Sequence, residues 1–156
     1  MTKMQIIQIL SGFVGTIGFA ILFNVRGKRL VLASLGGFLS WLIFVLLNLH
    51  IPSEPICYFF VAFLISTYAE IMARVLKTPT TSFITPSLIP LIPGSSLYYT
   101  MANAFQGNVE TFFQKAVYTL QLASALALGI IVSATFTKII YNAHQKKKYD
   151  KGENER

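Results

Sequence analysis

Five apolar runs dominate the chain: residues 4–24, 30–49, 55–76, 83–105 and 116–140. At ~1.5 Å of rise per residue, a run of about 20 residues matches a hydrocarbon core ~30 Å thick. Hydrophobic residues make up 54% of the chain and charged residues 12%, with a mean hydropathy of +0.60. A soluble domain of 156 residues cannot hide that much apolar surface, so lipid has to. The sequence therefore predicts an all-α, polytopic integral membrane protein of about five transmembrane helices. The helical domain is assigned to 1–142, and the short polar stretch 143–156 is expected to be a disordered, basic cytoplasmic tail.

The first run has its basic cluster (Arg26, Lys28, Arg29) after the apolar stretch rather than before it. It reads as a retained helix and not as a signal peptide. Orientation follows from the other basic residues. With the N-terminus outside, the inside segments hold Arg26, Lys28, Arg29, Arg74, Lys77, Lys138, Lys146, Lys147, Lys148, Lys151 and Arg156, and the outside keeps Lys3 and Lys115. This asymmetry predicts N-out, C-in and an odd number of crossings. It also accounts for the net charge of +7 without nucleic acid. The tail lysines are expected to lie against an anionic inner leaflet. Cys57 stands alone, which excludes an internal disulfide and a multi-cysteine metal site. His50 and His144 fall on opposite sides of the membrane in this topology and cannot share a metal. There is no GxSxG, HExxH or P-loop pattern, so no enzyme, catalytic residue or cofactor is expected.

The fourth run is unlike the rest. Its centre reads PSLIPLIPGSS, with Pro86, Pro90, Pro93 and Gly94 close together. Proline lacks an N–H and clashes with the carbonyl four residues earlier, so the bonds due at Ser82, Pro86 and Ile89 should be disturbed. Unsatisfied backbone costs several kcal/mol in hydrocarbon and survives only against protein or a water-filled cavity. The run is therefore expected to be discontinuous near the bilayer midplane. Gly94, Ser95 and Ser96 would then start a half-helix whose free N–H groups and positive dipole end suit a carboxylate. Secondary transporters build substrate sites from such discontinuous helices. Tyr98, Tyr99 and Asn103 complete the expected substrate-binding set, and the hydroxyls of Thr85, Ser87 and Thr100 lie nearby.

Glu70 is inside the third run, one turn before Arg74 and on the same face. It reads either as a coupling carboxylate tuned by Arg74 or as a local ion pair with Arg74 snorkelling to the interface. Asn24 and Asn48 read as helix-end residues. Small and polar residues recur every four positions in the last run (Gln121, Ala125, Gly129, Ser133, Thr137). Ser11 with Gly15, and Gly36 with Ser40, have the same spacing. Such stripes allow close helix approach, within one bundle or between subunits of a higher oligomer.

Three blocks together resemble a known family: GFAILFNVRGKRL (18–30), LGGFLSW (35–41) and TPTTSFITPSLIPLIPGSSLYYTM (78–101). They look like the threonine/serine exporter family, and more closely its short, split-gene half. Arg26 departs from the family pattern, in which a proline is common at that place. The resemblance implies a larger homologous membrane subunit as partner and a small carboxylate-bearing substrate, either threonine and serine or dicarboxylates such as succinate. It carries over Pro86, Pro90, Pro93, Gly94 and Tyr98. The expectation is then a subunit of a secondary transporter in the bacterial cytoplasmic membrane, coupled to a proton or ion gradient. The alternative is a non-transporting scaffold that stabilises the larger subunit.

Overall fold

The computed structural model describes residues 3–153, with side chains as far as Ala143. It is built from helices α1 (Lys3–Leu22), α2 (Lys28–Asn48), α3 (Glu54–Val75), α4 (Thr81–Leu88), α5 (Gly94–Phe105) and α6 (Val109–Glu153), with a 3₁₀ turn at Ile89–Leu91 after α4. Among the described residues, α1, α2, α3 and the Val109–Ala143 part of α6 are long and apolar enough to cross a membrane. The fourth run is discontinuous, as its prolines predict. α4 and α5 would reach about 12 Å and about 18 Å as helices, so neither crosses a bilayer alone.

Local signals set the helix ends. Asn24 and Lys77 take left-handed backbone (φ 57° and 49°) just beyond α1 and α3. There the amides of Val25 and Thr78 bond the carbonyls of Ala20 and Ala73, which closes each helix by satisfying a terminal carbonyl. Glu54 and Pro55 open α3, the arrangement a helix N-terminus favours for charge and fixed φ. α6 begins at Val109, well before the predicted 116, and its backbone stays helical through Glu153. Disorder was expected over that tail. A formed helix extends at little cost, and the Gln–Lys stretch after Ala143 favours it. Residues 154–156 of the predicted tail lie outside the described region.

The α4 half of the broken run sits inside the bundle, against α1, α2 and α3. Phe83, fully buried, packs among Ala33, Ala69 and Ala73 near one end. Leu91, also fully buried, packs with Phe44, Cys57, Tyr58 and Leu122 near the other. In lipid such packing is favoured by dispersion, ~0.1–0.2 kcal/mol per atom pair, more than by release of water. Ser87 Oγ donates to the Ala33 carbonyl (3.1 Å), and Tyr68 OH to that of Leu32 (2.9 Å). A Cβ on Gly36 would collide with the Ser87 hydroxyl, so only glycine lets α4 lie this close to α2.

The prolines act unequally. Pro86 is buried inside α4 without ending it. The interruption comes at Pro90 and Pro93, where tighter turns re-satisfy the backbone. The amide of Ile89 bonds Pro86 O, and that of Ile92 bonds Ile89 O at 3.1 Å. The interruption begins beside the middle of α1, where Pro90 packs next to Gly12, and runs from there toward one end of the bundle. α3 and α6 run parallel in a register fixed by Gly129 against Phe59, Thr67 bonded to Ser133 (2.9 Å) and Arg74 over the Tyr141 ring (5.1 Å). Extended along the pair, this register sets Glu54, the first residue of α3, beside Gln121. Ser96 is bonded to Thr119 (2.8 Å). The start of α5 is therefore level with the start of α3, at one end of the bundle. The midpoint of a sequence segment is not its geometric midpoint when one half lies inside the bundle and the other lies beyond it.

The small-residue stripe of α6 packs within the chain over its second half, where Gly129, Ser133 and Thr137 are buried on α3. Gln121 and Ala125 lie in a shallow hollow with Pro55.

Candidate functional site

A cavity of about 400 Å³ lies where α1, α2, α3, α5 and α6 meet, at the bundle end that carries the α2–α3 loop. Its size suits a small-molecule site, for which ~300–1,000 Å³ is usual. Its polar groups come from five helices. Gln8 belongs to α1, Asn48 to α2, Glu54 to α3, Ser95 and Ser96 to α5, and Lys115 to α6. Trp41, Phe44, Tyr58 and Tyr118 supply the aromatic wall, and Pro93 and Tyr99 frame the α5 side.

Helix geometry explains the convergence. Glu54 and Tyr58 are one turn apart on the same face of α3. On α6, Lys115, Tyr118 and Leu122 follow the same three-to-four spacing. Tyr118 OH donates to Glu54 Oε2 and ties α3 to α6 at the cavity wall. On the α5 side, Ser96 and Thr100 hydroxyls both bond Thr119 Oγ1, at 2.8 and 3.1 Å, and fix the half-helix to α6. Proline at position 93 lets the chain turn into α5, leaving the amides of Ser95 and Ser96 in a first helical turn, where no intrahelical acceptor exists. Lys115 pairs with no carboxylate among the described residues, so the cavity holds one negative and one positive side chain that do not neutralise each other.

A second hollow, of about 390 Å³, shares Gln8 and Trp41 with the first. It continues toward Pro90 past Ser11, Gly12 and Gly15 of α1. The Trp41 indole N–H, at the junction of the two, is shielded from solvent and has no acceptor among the described residues. A buried donor left unpaired costs about 1–3 kcal/mol, and a bound ligand or water with an acceptor oxygen would recover it.

Of the residues the sequence nominated, Ser95, Ser96 and Tyr99 line the cavity. Gly94 opens α5 but is not in the lining, and a Cβ there would meet open space. Tyr98 is exposed with its ring edge-on to Tyr99, and Asn103 is turned back onto the Tyr99 carbonyl (2.7 Å). Glu70 and Arg74 lie toward the opposite end of α3 and pair with each other at 3.0 Å, with Arg74 over Tyr141. Sequence reasoning did not nominate Glu54, Lys115, Gln8 or Trp41. Glu54 falls between the second and third apolar runs and Lys115 just before the last, outside the broken run in which a site was expected. The signal available for Glu54 was a single acid beside Pro55 at the mouth of an apolar run.

No curated protein and no solved structure matches this chain. The family model described as Threonine/Serine exporter, ThrE, matches residues 8–136, which includes the broken run and every lining residue named above. The chain belongs to the threonine/serine exporter family.

Proposed function

We propose that the chain is a subunit of a secondary transporter that exports small amino acids of the threonine and serine type across the bacterial cytoplasmic membrane, with N-terminus outside and C-terminus inside. Membership of an exporter family points to transport rather than catalysis. The observation that carries the residue-level reading is the cavity at the start of α5, where helix amides, hydroxyls and two opposite charges converge. The substrate carboxylate would sit at Ser95–Ser96, close to Lys115. With the N-terminus outside, this cavity opens outward, and the adjoining hollow along α1 extends the route inward. Rocking of one part of the assembly against another would expose the site alternately.

A larger homologous subunit is proposed as partner. In its support, α5 packs on α6 and leaves Leu97, Tyr98, Met101 and Phe105 exposed beyond the bundle. Export from threonine-loaded cells expressing the full chain tests the reading. Ser95→Leu is expected to cut efflux about tenfold at unchanged membrane abundance, since Ser95 lines the cavity and is exposed. Efflux that stays at the wild-type level refutes the site. Loss of partner abundance with no change in efflux per complex favours the scaffold role instead.

A further inference from the structure

We propose that Glu54 is the residue that selects amino acids against dicarboxylates, by receiving the substrate's ammonium group while the α5 end receives its carboxylate. The proposal rests on the transport-site reading above and adds a specificity element to it. Glu54 is half-buried in the cavity wall, and its partner in the structure is the Tyr118 hydroxyl. One hydrogen bond leaves most of a carboxylate's acceptor capacity unused. The same cavity is lined by Lys115 and the first turn of α5. Glu54 and Lys115 are not ion-paired, although both line it.

A cavity that offers a carboxylate together with an ammonium and helix amides, the two charges not paired with each other, is complementary to a zwitterion. It is mismatched to a dicarboxylate, whose second charge would face Glu54. Like charges brought together in a partly desolvated site reject a ligand strongly, which is how a single acid decides between two substrates that share one carboxylate. Tyr118 has a defined part. Its hydroxyl fixes the Glu54 carboxylate toward α6, so an arriving ammonium meets a positioned acceptor and not a mobile side chain. Glu70, the other acid within α3, is already satisfied by Arg74 and lies away from the cavity.

The alternative for Glu54 is purely structural, an acid at the α3 N-terminus holding Tyr118. Competition separates the two. Labelled serine flux is measured in native membranes carrying the full chain, against unlabelled serine, its amine-free analogue 3-hydroxypropionate, and succinate. For the wild type, serine should compete at concentrations at least about tenfold lower than either other compound, the loss typical of one charged contact. E54Q keeps the shape and a hydrogen bond to Tyr118 but removes the charge. It should narrow the serine preference over succinate about tenfold or more. Y118F should weaken that preference less than E54Q does, with succinate still excluded.

Equal competition by all three compounds in the wild type overturns the proposal, and this arm requires no variant to fold. An E54Q protein with wild-type selectivity overturns it too. A protein that transports serine but ignores the change at Glu54 leaves the transport-site reading intact. One that transports none of the three compounds removes both.

Discussion

The two halves of the broken run share one apolar stretch of sequence and little else. The α4 half, with its 3₁₀ turn, is walled in by α1, α2 and α3, and its Phe83, Pro86, Ser87 and Leu91 are fully buried. The α5 half leans on α6, and of its residues Thr100 is the one that is buried. Pro86 sits where protein surrounds the backbone, and Pro90 and Pro93, half-buried, lie against the bundle and the cavity, the surroundings a broken helix needs in lipid. The polar residues and tyrosines follow where protein does not surround the backbone. On the proposed site, the break is a junction between a structural half and the half that would carry function. Damage to the two should look different, with lost protein from one and lost transport from the other.

The sharpest way to break that contrast is to disturb the structural half. Gly36→Leu should force α2 away from Ser87 and Tyr68, whose atoms a Cβ at that position already meets. Overpacking of this kind costs about 3 kcal/mol, so the membrane abundance of the chain should fall about tenfold or more, read by immunoblot. Abundance near wild type would mean that α4 does not pack as closely as described.

In the functional half, Ser96→Val removes the hydroxyl bonded to Thr119 and adds apolar bulk at the cavity lip. Serine efflux per molecule should drop about tenfold, equivalent to about 1.4 kcal/mol, with abundance within a factor of about two. A fall in abundance with efflux per molecule unchanged would erase the distinction between the halves.

Two smaller effects sharpen it. Ser87→Ala loses one buried hydrogen bond to Ala33, worth about 1 kcal/mol. The solubilised protein should melt a few degrees lower while efflux per molecule stays the same. Glu70→Gln removes a pair whose arginine is 42% exposed, so stability should move by about 0.5 kcal/mol or less. Efflux per molecule should not change. If it collapses, Glu70 carries the coupling role that its place in a membrane helix first suggested.

Much of this was legible in the sequence, for identifiable reasons. The apolar runs fix the helices because lipid permits little else. Pro90, Pro93 and Gly94 fix the break because ring geometry and missing donors act locally. Ser95 and Ser96 followed directly from where a helix must restart. Glu54, Lys115 and Trp41 were not legible, because they meet through the register of α3 on α6 and of α1 on α2. Close-packed small residues such as Gly129 set that register across the fold, and no local pattern encodes it. How far the start of α5 lies from Pro90 toward one end of the bundle was not legible for the same reason. Counting residues along one segment cannot show that Leu91 already reaches Leu122.

The most direct test of the central claim is a density map of the full chain in lipid with serine bound. The account predicts ligand density between Glu54 and the Ser95–Ser96 end of α5, with the amine toward Glu54. A map with serine held elsewhere, and this cavity closed by side chains, would contradict it.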